Sequence, residues 1–541
     1  MAKKTDAAES KKTETETKGI DGRTVMKRAD RAFKLKEPWD PLLREMFELT
    51  MAARNPYDPN KTGATSMSRQ FDSTAPTSLF KATNRIFSEM TPADQNWIGL
   101  DIGPVLLPRM NELQQQQMRK ILSQMVQVAE VVFDGGNFIN AQWECFLEML
   151  GGIMGCMLVL EDGDDIEPVS FQCVSQSEVA LEIDGRGRKR GVYRKRKGVK
   201  VREITEMWDD AELPKELKDK LRTSGANQED PEIDLMESTY WLKGGGWAYC
   251  IHWRKGSSDE PVQLVYREYN ECPWIIYQWS RIPGSPYGPG PGILLLPAIR
   301  MVNKVREMVI MNAALALAGM YLGRDDGVLN IDNIQIMQGG IVPVASTGGT
   351  IGASLVPLET GRNFEIGHFV LTEEQEIIRR GLFDNGLPDP KDGVRSPTEI
   401  IERVRELAQD VGGAIGRITR QLVELVARVM GILQRRGLVP GVNIDQFTFK
   451  VQIKSPLARA QQLQEVQTIL QWYQMLQSLG GPAFAAVFAN IEAVAVLIST
   501  RMGIPHQVQR DTADKEAMQQ QIGQIIAAQQ MAQPAAANLA A

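Results

Sequence analysis

The sequence predicts an α+β protein, mainly helical and built in several layers. Three observations carry that reading. Residues 169–279 hold six short runs of alternating or continuous apolar character, separated by turn residues, which is the pattern of strands. Residues 294–322 read as one long helix whose second half, MVIMNAALALAGMYL, is apolar on nearly every face. Beyond Ser396, apolar residues recur at Ile400, Val404, Leu407, Val411, Ile415, Ile418, Leu422, Leu425, Val429 and Ile432, a spacing of about 3.6.

Taken in order, residues 1–20 (MAKKTDAAESKKTETETKGI) lack an apolar h-region and are expected to form a solvated, disordered arm rather than a secretory signal. A helical stretch at 21–54 should break at Pro38. Asp72 or Ser73 can cap a helix that ends at Thr91-Pro92, and a strand over 97–102 follows. Residues 110–133 are amphipathic and stop at Asp134-Gly135-Gly136; a shorter helix over 141–150 ends at Gly151-Gly152. The continuous apolar run 153–160 reads as a buried strand.

Within the β region stands a basic run, GRGRKRGVYRKRKGVK, over residues 185–200. It could touch DNA or an acidic partner, but the turn signal Asp184-Gly185 favours a solvated hairpin tip. Residues 201–222 are expected to be helical. A proline/glycine hinge, PGSPYGPGPG (283–292), precedes the long apolar helix, with Pro297 in its first turn. Glycine-rich turns punctuate 323–370, a second shorter helix is expected over 371–383, and the breaker-rich loop FDNGLPDPKDGVR ends at Arg395. Ser396-Pro397-Thr398-Glu399 is a capping box. It opens the 3.6-periodic helix, which Gly437 and Pro440 close and in which Gly412, Gly413 and Gly416 favour a kink. A strand at 447–453 and a Gln/Ala-rich helical tail complete the chain.

At 541 residues the chain is long for a single core, so two to four domains or layers are expected. The net charge of −6 disfavours a nucleic-acid-coating protein without excluding one past which DNA slides. Five scattered cysteines and three scattered histidines show no paired spacing, so neither a disulfide framework nor a metal site is expected. The longest apolar stretches, 308–322 and 483–499, fall short of the ~20 residues of a membrane span. No GxxxxGK[ST] loop, GxSxG elbow or dinucleotide fingerprint occurs in context, so catalysis and cofactors are not expected.

Four segments, in this order, resemble the portal (head-to-tail connector) family of short-tailed bacteriophages: FDSTAPTSLFKATNRIFSEMTPADQNWIGL (71–100), WSRIPGSPYGPGPG leading into LPAIRMVNKV (279–305), RSPTEIIERVREL (395–407) and KSPLARAQQ (454–462). Each is weakly specific; their order and spacing over about 390 residues carry the match. Pro289 departs from the family, which often has a basic residue there.

The resemblance implies the phage portal fold, a dodecameric ring with wing, stem, clip and crown. The wing would be 21–292 plus the strand near 447–453. The stem helices would be 294–322 and 371–383, with the clip at 323–370 between them. The tunnel loop would be 384–395, followed by the long kinked helix from 396 and the crown from 455 to 541. It implies a structural DNA channel at one capsid vertex of the virion, assembled in the host cytoplasm and serving genome packaging, retention and ejection and head-tail joining. The implied partners are terminase, scaffolding protein, major capsid protein and tail adaptor, with double-stranded DNA passing without sequence specificity and no membrane. On that reading Lys391 and Arg395 in the loop, with Arg300, Lys304 and Arg306 on the stem, are the candidate DNA-facing cations; a surface ion pair is the competing role for each. Another ring-forming tail adaptor is the alternative, and a DNA-processing enzyme a more distant one.

Overall fold

The computed structural model describes residues 20–57, 69–93, 96–162, 167–223, 230–254, 261–318, 321–323, 355–357, 364–384, 397–441, 449–453 and 466–479, and a few single positions after these. The chain forms two compact units, one from residues 1–88 and 128–444, the other from 89–127 and 445–541.

The first unit opens with α1 (Gly22–Lys36) and α2 (Asp40–Thr50), joined by a 3-10 turn at Glu37–Trp39. Pro38 ends α1, since its ring cannot continue the hydrogen-bond ladder. Helix α3 (Thr74–Met90) follows, and α4 (Glu112–Gly135), of which only the part from Val128 belongs to this unit, leads into α5 (Phe138–Gly151). Strands β2 (Gly155–Glu161), β3 (Val169–Val174) and β9 (Trp274–Tyr277) make an antiparallel sheet of order β3-β2-β9. Phe133, Phe138 and Phe171 pack ring to ring, with centroids 4.6–5.6 Å apart, and lock α5 onto that sheet.

Strands β4 (Val179–Ile183), β5 (Lys189–Lys200), β6 (Glu232–Trp241), β7 (Trp247–Trp253) and β8 (Val262–Tyr269) form a five-stranded antiparallel meander in sequence order. Two short helices, α6 (Val201–Met207) and α7 (Lys215–Thr223), fill the β5–β6 connection. Helix α1 lies on one face. Val25, Met26, Ala29 and Ala32 are its apolar stripe, packed with Ala180, Tyr193, Met236, Tyr240 and Ala248. Trp274 Nε1 donates to Thr239 Oγ1 at 3.1 Å and ties the two sheets together.

The basic run is not a solvated tip. Only 184–188 is the turn, closed by Asp184 N to Arg188 O at 2.9 Å, with Asp184 Oδ1 accepting from the amides of Arg186 and Arg188. Residues 189–200 are a strand, paired with β4 through 189–194 and with β6 through 191–200. Neighbouring acids make this possible: Arg190 meets Asp184, and Arg194 meets Glu178 and the buried Glu237. Charges paired across strands can sit inside a sheet that unpaired ones would disrupt.

His252 on β7 is buried, and its Nδ1 has no hydrogen-bond partner among the described residues. Burial pushes its pKa down to about 4, with Asp21 opposing weakly. The imidazole is therefore neutral in the fold but protonates near pH 6.5 when unfolded. Stability should be complete above pH 6.5 and fall as the pH drops towards 4, by roughly 3 kcal/mol. Urea unfolding at pH 7.5 and 4.5 checks this: His252→Gln should show a smaller acid loss than the parent, and an equal loss would refute it.

Further along come α8 (Pro291–Ala318), β10 (Tyr321–Gly323), β11 (Leu355–Pro357), α9 (Phe364–Gly381) and α10 (Pro397–Arg435). Helix α9 begins seven residues earlier than the sequence suggested. Thr372 lies inside the helix, because residues 364–371 (FEIGHFVL) are already part of it. Pro297 falls in the second turn of α8, not the first, since the helix begins at Pro291. Helix α10 is hydrogen-bonded without a break through Gly412, Gly413 and Gly416.

In the second unit, β1 (Ile98–Ile102) pairs antiparallel with β12 (Phe449–Ile453), from Ile98↔Ile453 to Ile102↔Phe449. Arg119 and Asp101 form an ion pair at 3.6 Å, and residues 466–479 are helical.

Candidate stem and channel site

Helices α8 and α9 form an antiparallel pair. Gly367 of α9 faces Val309 of α8, and Gly381 faces Leu295. The missing side chains let the helices approach: a Cβ at Gly381 would lie 2.7 Å from the Leu295 methyls. The pairing continues into the two-stranded ribbon of β10 and β11, with Tyr321 opposite Pro357.

One stripe of α8 is buried, through Ile293, Leu296, Ile299 and Val302. The remaining faces explain the all-round apolar character of the sequence. Met301, Met308, Ile310 and Met311 are 47–57% exposed on the single chain, and Phe369 on α9 is 69% exposed. Monomeric soluble proteins rarely present an apolar surface of this extent without a partner for it.

The root of this pair is held by α3. Asp72 Oδ1 accepts from Thr74 N at 2.8 Å and caps α3, while Asp72 Oδ2 accepts from Gln375 of α9 at 2.8 Å. Asn303 of α8 accepts from the amide of Phe71 and donates to Arg69 O. At the far end of α9, Asp384 receives Ser78 Oγ at 2.9 Å and Lys81 Nζ at 3.1 Å, and Arg85 donates to Phe383 O. Asp384 N bonds Arg379 O and Phe383 N bonds Arg380 O, the paired bonds of a Schellman cap. Phe383 occupies the left-handed position at φ 58°, which usually belongs to glycine, and its ring stacks on Trp279 at 5.6 Å. The D-S-T-A segment therefore joins three helices. The sequence suggested the cap at Asp72; Asn303, Gln375 and Asp384 carried no local pattern that would single them out.

Of the candidate cations, Arg300 forks onto Glu45 of α2 through Nε at 2.6 Å and Nη2 at 2.7 Å, and that carboxylate raises its pKa further. Lys304 pairs with Glu307 at 2.8 Å. Arg306 is exposed and has no ion-pair partner among the described residues. Lys391 and Arg395 lie outside the described residues.

Helix α10 packs on the sheets through its later turns. Ile418, Leu422, Leu425, Val426, Val429 and Leu433 are fully buried. Arg428 is buried with them, its guanidinium 4.2 Å from the Tyr269 ring centroid and its Nη1 3.7 Å from Glu271. Arg417 donates twice to Trp279 O.

All five cysteines are free thiols, and burial pushes Cys145, Cys156 and Cys250 up, Cys250 to about 12, away from thiolate chemistry. Among the described residues no cluster of three or more His, Cys, Asp or Glu could hold a metal, and no helix is long and apolar enough to cross a membrane.

The site is thus a helical hairpin with an exposed apolar side, rooted in an α+β body. The profile of the family described as bacteriophage head to tail connecting protein matches residues 23–509, and the chain belongs to that family. It is a structural connector, not an enzyme. No curated protein matches the chain. Two solved structures are similar to it. One, titled virion of native gene transfer agent (GTA) particle, is 12% identical, with 81% of this chain and 92% of that one covered and a TM-score of 0.36. The other, titled neck of empty GTA particle computed with C6 symmetry, is 12% identical, with 82% and 93% covered and a TM-score of 0.37. Likenesses that loose add no argument to the family match.

Proposed function

We propose that twelve copies of this chain stand around a pore as the portal of a phage head, and that double-stranded DNA passes through it during packaging and ejection. The exposed apolar side of α8, Met301 to Met311, carries the reading: it needs a cover, and a neighbouring copy of the same helix pair supplies one in a closed ring. On this reading α8 and α9 are the stem and the segment between them, with its β10–β11 ribbon, the clip. The five- and three-stranded sheets belong to the wing, residues 384–395 form the tunnel loop and the chain from 455 the crown.

The function is geometric and electrostatic. Twelve copies at −6 each give a formal charge of −72, which discourages DNA from adhering to the wall. Arg306, Lys391 and Arg395 would touch phosphates transiently, without base readout. Arg300 and Lys304 are already engaged by Glu45 and Glu307 and have less to give. Terminase, scaffolding protein, capsid protein and tail adaptor are the expected partners, and the capsid vertex of the virion, assembled in the host cytoplasm, the expected location.

Negative-stain images of the purified protein test the proposal. A twelve-fold annulus with a central hole is expected; a monodisperse monomer at all concentrations would sink it. Nuclease and ATPase assays on the same sample should read as blank.

A further inference from the structure

The first unit carries a second surface that a DNA channel does not need. Helix α1 holds six basic residues and one acidic, a net of +5 within a chain of net −6. Arg28 and Lys36 are engaged within the fold. Arg28 reaches Glu182 at 2.8 Å, and Lys36 is buried, donating to the carbonyls of Gln176 and Ser177. Lys27, Arg31 and Lys34 follow the i, i+4, i+7 spacing that places them on one outward stripe, and all three are exposed.

Strand β5 adds to that stripe. Most of its basic run is absorbed: Lys189 by the Trp274 carbonyl and Glu424, Arg190 by Asp184, Arg194 by Glu178 and Glu237, Arg196 by the Trp208 ring. Lys195 and Lys197 alternate onto the face that α1 covers. Lys195 Nζ sits 3.7 Å from the centroid of the Phe33 ring of α1. Arg254, just past β7, closes the surface through its 3.4 Å pair with Asp30 of α1. Desolvation lowers the Lys195 pKa, Asp30 opposes that, and the neighbouring Arg254 and Lys197 lower it further. Beside the cations lies Leu35 of α1, 57% exposed.

We propose that the ledge formed by Lys27, Arg31 and Lys34 of α1 with Lys195 and Lys197 of β5 and Arg254 is a docking surface for an acidic, amphipathic segment of another protein. Charge complementarity selects a polyanion. The apolar Leu35 and Phe33 among the cations select a peptide, since an acidic helix can place leucines against them while its carboxylates meet the lysines; a phosphate backbone has no such group to offer. The inference goes beyond the channel function and does not depend on the number of copies in the ring.

Three labelled probes separate the outcomes: a helical peptide of about 20 residues with Leu at i, i+3, i+4 and Glu elsewhere, an all-glutamate peptide of the same length, and a duplex of about 20 base pairs. Anisotropy titrations on the full-length protein are expected to rank the amphipathic peptide about tenfold above the other two, with affinity falling as salt rises. The triple charge reversal Lys27→Glu, Arg31→Glu, Lys34→Glu, and separately the pair Lys195→Glu, Lys197→Glu, should each weaken the peptide about tenfold. Lysine acetylation read by mass spectrometry repeats the test without any substitution: the peptide should protect Lys27, Lys34, Lys195 and Lys197. Duplex DNA binding as tightly as the peptide, unchanged affinity in both reversals, or equal acetylation with and without peptide would each overturn the proposal.

Discussion

Replacing Met308 and Met311 of α8 together by glutamate is expected to leave a folded chain and no ring. Both side chains are more than half exposed on the single chain, so the substitutions add carboxylates to a surface that already faces solvent there. Surface changes of that kind usually cost within about 0.5 kcal/mol of fold stability. In a ring the same positions would be covered by the next copy. Each carboxylate would then lose its water without a cation to replace it, at roughly 2–3 kcal/mol per group. Two groups per interface weaken each contact by roughly three orders of magnitude or more, and a closed ring repeats the loss at every interface. Sedimentation velocity and negative stain should report monomers, while the circular dichroism melt stays near that of the parent. Arg306→Gln, on the same helix, should leave the rings intact and is the control for non-specific damage. Rings that survive the methionine pair would mean that α8 does not form the subunit interface.

Much of the architecture is legible in the sequence because the relevant signals are local. The periodicity from Ile400 to Ile432 is one uninterrupted helix, and its apolar positions from Ile418 to Ile432 are fully buried. Asp72 caps α3 because a side-chain oxygen two residues before a free amide needs no tertiary help. Strands β4, β7 and β8 of the meander and the end of β6 follow from alternation and turns, whereas β5 does not. Long-range chemistry escapes this kind of reading. The fate of the basic run depends on Glu178, Glu237 and Glu424, which only the fold brings to it, so the turn signal at Asp184 was extended twelve residues too far. The start of α9 was missed because nothing in FEIGHFVL resembles a cap. For the candidate site, the apolar excess of α8 is legible in the sequence and is the exposed apolar side of the helix, but the engagement of Arg300 by Glu45, 255 residues away, carries no sequence signal.

The segment PGSPYGPGPG shows how composition can mislead about mechanics, and Gly290→Ala is expected to be among the most damaging single changes in the chain. Proline and glycine together suggest a hinge, yet this turn is packed against backbone. Gly290 N donates to Gly152 O at 2.8 Å, and a Cβ on Gly290 would lie 2.5 Å from the carbonyl oxygens of Gly152 and Met149 and 2.9 Å from that of Leu150. Carbonyls at the end of α5 cannot swing aside as a flexible side chain can, so the cost should reach about 3 kcal/mol or more. Gly284 lies in the same turn with the opposite character: φ is +81° and nothing stands within 4 Å of its Cβ position. There alanine should cost only the left-handed penalty, about 1–2 kcal/mol. Urea midpoints at constant slope should rank the two in that order, and the reverse order would mean that conformational freedom, not close approach, explains these glycines. Assembly adds a second readout. Gly292, two residues on, would bring a Cβ to 3.0 Å from the Gly151 backbone and 2.4 Å from the Met46 methyl, so close backbone contact sets the direction in which α8 leaves the turn. At 28 residues α8 is roughly 42 Å long, and a tilt of about 5° at its root moves its far end by roughly 3–4 Å. Side-chain interfaces do not absorb a displacement of that size. Gly290→Ala protein that remains folded at low temperature should therefore give broken or heterogeneous rings where Gly284→Ala gives regular ones.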